Sequence, residues 1–245
     1  MALLVDGELS TVADLEAQDS GVLQIAHGEG IDLNRKLDLA QRELEIEVEA
    51  LLRRTDAGSL EEVVVTRAMS RWHTLLTLAM VYRDAYFSQL NDRFGGRWRA
   101  YQDEAQEAGR KVLEGGVGLT TAPIRRPLGV ESALGMGSIG PRAYYIRVAW
   151  VNNRGEESAP SPLAVVEAQS PHSLSVKPVG LSQGLQGWHL YAGFSTNRLA
   201  RQTELPMGLG EEWVAPEGTL NDGPEPSSGQ HPEKYVTQKR LLRRW

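Results

Sequence analysis

In the first half of the chain, apolar residues recur at helical spacing. From Asp32, a plausible N-cap, Leu33, Leu37, Leu44, Val48, Leu51 and Leu52 step by threes and fours, while Glu43, Glu45, Glu47 and Glu49 fill the remaining surface. This predicts a helix from 33 to about 54. Ahead of it, residues 8–20 predict a short helix capped by Ser10 or Thr11. Ser59 followed by Glu62 has the form of a capping box, and the run to about Asn91 carries Val63, Ala68, Trp72, Leu75, Leu76, Ala79 and Tyr86, so the longest and most apolar helix is expected there. Gly95-Gly96 is read as a break, after which Trp98, Tyr101, Ala105, Ala108 and Val112 predict a fourth helix, stopped by Gly115-Gly116.

Beyond the midpoint the period changes from helical to two. Tyr144, Ile146, Val148 and Trp150 alternate with Tyr145, Arg147, Ala149 and Val151, the mark of a half-buried strand. Asn152, Asn153 and Gly155 then turn the chain, and Pro160 and Pro162, lacking the N–H that a ladder needs, belong at a strand edge. Strand-like segments follow at 163–168, 173–179, 187–194 and 211–215, a spacing that suits a small β-sandwich. Residues 117–142 are rich in Gly and Pro and read as a linker or an irregular first layer. The fold class is therefore α+β and multidomain. A helical domain occupies 1–117, a β-sandwich domain 118–230 with 118–142 its linker, and a basic tail 231–245.

Charge divides the chain further. Residues 1–65 carry fifteen acids against five bases, whereas 233–245 carry five bases against Glu233 alone, within a net charge of −6. An acidic protein with a short basic end is a poor fit for wrapping nucleic acid, which takes an extended basic surface. The tail is better suited to an acidic protein partner. With no cysteine, disulfides, zinc-thiolate sites and thiol nucleophiles are excluded. No apolar run approaches the ~20 residues that span a bilayer, and the start of the chain lacks a secretory pattern, so a soluble protein made in the cytoplasm is expected.

Candidate chemistry is sparse. Gly135-Met-Gly-Ser-Ile-Gly140 spells a dinucleotide-binding fingerprint, but Pro141 and a strand follow where a helix should begin, so the segment reads as a flexible loop. His27, His73, His172, His189 and His231 have no metal-ligand spacing, and no serine sits in a nucleophile elbow. No catalytic, cofactor or metal residue is assigned. Trp72, Trp98, Tyr82, Tyr86 and Tyr101 read as helix packing, and Trp188, Leu190 and Ala192 as one core-facing row, with His189 and Tyr191 on the other face. Lys239-Arg-Leu-Leu-Arg-Arg-Trp245 combines apolar anchors with guanidinium groups, which points to an interface.

The helical half, with its acidic second helix, long third helix and Asp92-Arg-Phe-Gly-Gly-Arg-Trp-Arg-Ala-Tyr101, resembles the head-to-tail adaptor proteins of tailed bacteriophages. The β half, through Tyr144–Pro162 and Gly187-Trp-His-Leu-Tyr-Ala-Gly-Phe-Ser195, is similar to fibronectin-like modules of phage neck and tail proteins. The resemblance implies a virion component assembled in the host cytoplasm: a homo-oligomeric ring, usually dodecameric, seated below the portal protein and contacting a downstream neck or tail protein. Genomic DNA would pass through the lumen without sequence-specific binding. It implies no enzymatic activity, no cofactor and no membrane. It would place Tyr235, Lys239, Arg240, Leu241, Leu242, Arg243, Arg244 and Trp245 at the portal contact, and Glu43, Glu45, Glu47 and Glu49 along the channel. The alternatives are a tail or baseplate subunit and a carbohydrate-binding or adhesive sandwich.

Overall fold

The computed structural model describes residues 2–7, 9–89, 92–180 and 184–238. They form two compact units, one comprising 7–121 with the chain from Pro232 onward, the other comprising 1–6 and 122–231. In chain order the helices are α1 (Val12–Gln18), α2 (Val22–Glu29), α3 (Leu33–Thr55), α4 (Arg67–Gln89) and α5 (Asp92–Gly115). The strands are β1 (Val117–Leu119), β2 (Gly129–Ile139), β3 (Arg142–Asn152), β4 (Ala164–Ala168), β5 (His172–Val179), β6 (Leu185–Ser195), β7 (Arg198–Arg201), β8 (Trp213–Val214) and β9 (Lys234–Val236).

In the helical unit, Asp32 caps α3 by accepting from the Arg35 N–H, and Leu37, Leu44, Val48, Leu51 and Leu52 are buried, as their spacing requires. α4 lies at the centre, touching α1, α2, α3 and α5. Leu15, Val22, Leu37, Leu78 and Val81 form one buried cluster and Tyr82, Ala85 and Phe94 another. Thr11, one of the two expected caps, closes a capping box with Asp14. The region read as one short helix holds α1, and α2 follows it after a turn.

Two expectations about the long helices are corrected. Ser59 does not start α4. Residues 60–62 make a single 3-10 turn, and the backbone beyond is taken up by β1: the Val64 N–H donates to the Gly118 carbonyl (2.9 Å) and the Thr120 N–H to the Glu62 carbonyl (2.9 Å). A backbone paired in this way is not free to be helical, and α4 begins at Arg67. Nor do Gly95 and Gly96 break the chain, since both lie inside α5. Gly95 is buried with Tyr86 carbons 3.2 and 3.3 Å from where a Cβ would stand, so tertiary packing outweighs a propensity cost of about 1 kcal/mol per glycine.

Asp19, at the end of α1, gathers α4 and α5. It accepts from the hydroxyls of Tyr82 (2.6 Å) and Tyr101 (3.0 Å) and from the Gly21 N–H (2.9 Å). Burial pushes its pKa up, but these hydrogen bonds and Arg97 more than reverse that and hold it below the ordinary carboxylate value. Burial and the bond to Asp19 raise Tyr82 to about 12. The expected aromatic packing is present: Tyr82 stacks on Tyr101 at 5.4 Å and Tyr86 on Trp98 at 5.6 Å.

The β unit contains a four-stranded sheet, ordered β4-β3-β6-β7, and a three-stranded sheet, ordered β2-β5-β8, both antiparallel. Tyr144, Ile146, Val148 and Trp150 of β3 and Trp188, Leu190 and Ala192 of β6 meet Leu174 and Val176 of β5 in one apolar core. The expected rows thus face inward. The other face of β6 is buried as well, with Tyr191 packed among Ala149 and Leu199.

Prolines 160 and 162 lie beside β3 as the sequence requires, and the neighbouring serines pair with it in their place, the Ser158 and Ser161 N–H groups donating to the Trp150 (2.9 Å) and Val148 (2.8 Å) carbonyls. Ser158 Oγ accepts from the Trp150 N–H (3.0 Å) and Ser161 Oγ from the Val148 N–H (3.1 Å), satisfying backbone groups that would be costly to bury unpaired. Asn152 Oδ1 accepts from the N–H groups of Arg154 and Glu156 and closes the turn, with Gly155 at a φ of 76°.

Of the two readings of 117–142, a linker or an irregular first layer, the linker is the third correction, since the segment contains β1 and the eleven-residue β2, which pairs with β5. The Gly135–Gly140 segment read as a flexible loop runs through β2, where Gly135 pairs with Ser173 and Ile139 with His172 across a bulge. Gly137 crosses the His172 backbone so closely that a Cβ would stand 2.4 Å from its carbonyl oxygen, which explains glycine there.

Candidate functional site

The four glutamates of α3 fall into two rows, because residues four apart share a helix face and residues two apart do not. Glu45 accepts from Gln41 Nε2 (2.9 Å) and Glu49 pairs with Arg53 (2.6 Å). Glu43 and Glu47, both exposed, face a groove of about 510 Å³ between α3, α4 and α5. Trp72, Leu76 and Met80 of α4 line it, with Gln102, Gln106, Gly109 and Arg110 of α5 opposite. The Trp72 indole lies directly on α5: a Cβ at Gly109 would stand 2.7 Å from its Cε2 atom. Arg110 is held by Glu107 (2.6 Å) and Glu114 (2.7 Å), and Arg83 stands 3.6 Å from Asp84, so the groove joins an apolar floor to one row of carboxylates and two engaged guanidinium groups.

Tyr235 is the one residue of the expected portal contact among the described residues, and Lys239–Trp245 lie outside them. It sits in β9, which pairs with β1 through Gly118↔Tyr235 and Leu119↔Lys234. Its ring is half exposed, while its stem packs against Gly116 and Gly118. Lys234 Nζ donates to the Ala57 carbonyl (3.2 Å) and the Gln238 N–H to the Leu113 carbonyl (2.9 Å), tying this stretch to the helical unit. Tyr235 therefore has a structural task that its position in a basic tail did not reveal.

Two buried clusters approach catalytic geometry in part. In the helical unit Ser10 Oγ lies 2.6 Å from His73 Nδ1, and His73 Nε2 lies 3.0 Å from the Leu37 carbonyl, where a carboxylate would be needed to orient a base. In the β unit Thr203 Oγ1 lies 2.7 Å from His189 Nδ1, and Glu157 Oε1 stands 3.8 Å from His189 Nε2. Glu157 is engaged elsewhere, accepting from the Tyr191 hydroxyl at 2.6 Å with Arg201 at 3.7 Å. Burial lowers the pKa of both histidines below the ordinary value, and burial with the bond to Glu157 raises that of Tyr191. The hydroxyls and imidazoles are buried and tie neighbouring elements together, while Glu157, Tyr191 and Arg201 border a cavity of about 370 Å³.

Sequence reasoning missed the Glu157 cluster, whose members come from a loop and two strands, and the close seat of Trp72 on Gly109. The small residues at 105, 108 and 109, at helical spacing, are the signal for the second. Trp188 and Tyr191, aromatics of the strand expected at 187–194, are both buried. Among the described residues no group of three or more His, Asp or Glu could hold a metal ion, and no helix is long and apolar enough to cross a membrane. No family model matches the chain, and neither does any curated protein.

Proposed function

We propose that this protein is a structural component of a phage virion, a head-to-tail adaptor that forms a ring, binds the portal vertex and extends the DNA channel toward the tail. The observation that carries this reading is the anchoring of the chain on the helical unit immediately ahead of its basic, apolar segment. β9 and the Gln238–Leu113 bond hold the chain to the end of α5, so Lys239–Trp245 follow directly from an ordered anchor. A segment with Leu241, Leu242, Trp245 and four bases is suited to insert into a partner whose pocket is apolar with an acidic rim.

Other features agree with the reading. The exposed row of Glu43 and Glu47 is the one available to a channel wall, where negative charge keeps DNA from adhering. In the β unit the chain crosses between sheets from β2 to β3, from β4 to β5 and from β5 to β6, with β3–β4 and β6–β7 as neighbours. This order supports reading the unit as an immunoglobulin- or fibronectin-like sandwich, from which β8 on the outer edge of β5 would be a departure. Such a module would decorate the neck or contact tail proteins.

The experiment is a truncation placed after the anchor. Removing Lys239–Trp245 leaves β9 paired, so docking to the portal should be lost while the far-ultraviolet circular dichroism spectrum of the protein is unchanged. Undiminished docking by the truncated protein would overturn the assignment.

A further inference from the structure

The groove on the helical unit has an open apolar floor and a row of carboxylates without partners. Among the described residues neither Glu43 nor Glu47 has an ion pair within 4.0 Å, whereas of the two arginines that line the groove Arg110 already holds two glutamates and Arg83 pairs with Asp84 at 3.6 Å. The chain is tied down beside this groove by the Gln238–Leu113 bond, and Leu113 itself lines the groove. The next seven residues are Lys-Arg-Leu-Leu-Arg-Arg-Trp, cations and apolar anchors in the proportion the groove lacks.

We propose that Lys239–Trp245 docks back into the α3–α4–α5 groove of its own chain, with Leu241, Leu242 and Trp245 over Leu76, Met80 and Trp72 and the basic side chains over Glu43 and Glu47. Length allows it. Seven residues reach about 23 Å when extended, and the groove runs along α5 from Leu113 to Gln102, about 16 Å at the helical rise. The tether favours the chain's own segment over a second copy's, because a short connection gives an effective concentration in the millimolar range. The docked segment shields the unpaired carboxylates of the free subunit. A partner that takes the segment away uncovers them, so in the adaptor reading portal docking would open the acidic row to the lumen. The docking itself does not rest on that reading.

The absence of cysteine makes a disulfide test clean. Leu242→Cys would be combined with Met80→Cys in the groove, or with Lys111→Cys, which is exposed and nearer Gln238 in the chain but lies on the opposite face of α5. In dilute full-length protein, docking makes the intramolecular bond to position 80 form about tenfold faster than the bond to 111, and Glu43→Lys with Glu47→Lys or high salt closes the gap. Leu76→Cys replaces Met80→Cys if that variant folds poorly. Equal rates at 80 and 111, or disulfides formed only between chains, would overturn the proposal. Portal docking is scored separately, so failure here and failure of the adaptor reading are distinguishable.

Discussion

Two glycines of α5 should respond to the same substitution with opposite signs. Gly96 has nothing within 4 Å of the position a Cβ would take, so Gly96→Ala adds only helix propensity, about 1 kcal/mol of stabilisation. Gly109→Ala gains the same propensity term, but its Cβ would stand 2.7 Å from Cε2 and 2.9 Å from Cζ2 and Nε1 of Trp72. That ring is rigid, and only 6% of Trp72 is exposed, so relief comes from parting α4 and α5. Overpacking of this kind costs about 1–3 kcal/mol, which leaves Gly109→Ala destabilised by about 1 kcal/mol and separates the two variants by about 2 kcal/mol. For a unit of this size the separation corresponds to roughly 6–10 °C in melting temperature, read by far-ultraviolet circular dichroism. Trp72→Phe in the Gly109→Ala background should recover part of the loss in a double-mutant cycle. A Gly109→Ala protein as stable as Gly96→Ala would refute the close α4–α5 seat and the groove floor built on it.

Acid should weaken both units. Burial depresses the pKa of His73 in one and His189 in the other below 6.5, so the unfolded chain binds more protons in the window just under that value, and stability falls as pH drops from about 7 to 5. Urea midpoints at the two pH values test this, with His73→Gln flattening the response of the helical unit, and a midpoint that rises on acidification contradicts it. Tyr191→Phe removes the 2.6 Å bond to Glu157, whose side chain is only 14% exposed, and should cost the β unit about 1.5–3 kcal/mol while the helical unit melts as before. A shared shift of both transitions would show that the tie is not local.

The parts of the fold legible in the sequence are those whose local signal and tertiary role coincide. β3 and β6 show their alternation because each meets the core with every second residue, and α3 shows its stripe between a capping aspartate and its basic end. Hidden elements are those in which distant contacts decide. β2 exposes most of its length and carries three glycines, so no period appears, yet its backbone pairs with β5 over eight positions. The start of α4 is displaced by the pairing of Val64 with β1, more than fifty residues away in sequence. Gly95-Gly96 looks like a break until Tyr86 closes over it. For the candidate site the sequence shows the glutamates and the basic segment, because charge is local. The groove is not legible, since Trp72, Gly109 and Glu43 come from three different helices.

Cryo-electron microscopy of the purified protein mixed with a candidate portal protein tests the proposed ring assembly most directly: a coaxial ring at the portal's narrow end, with density from Lys239–Trp245 entering the portal wall, is the expected result. Monomers beside an unoccupied portal would contradict it.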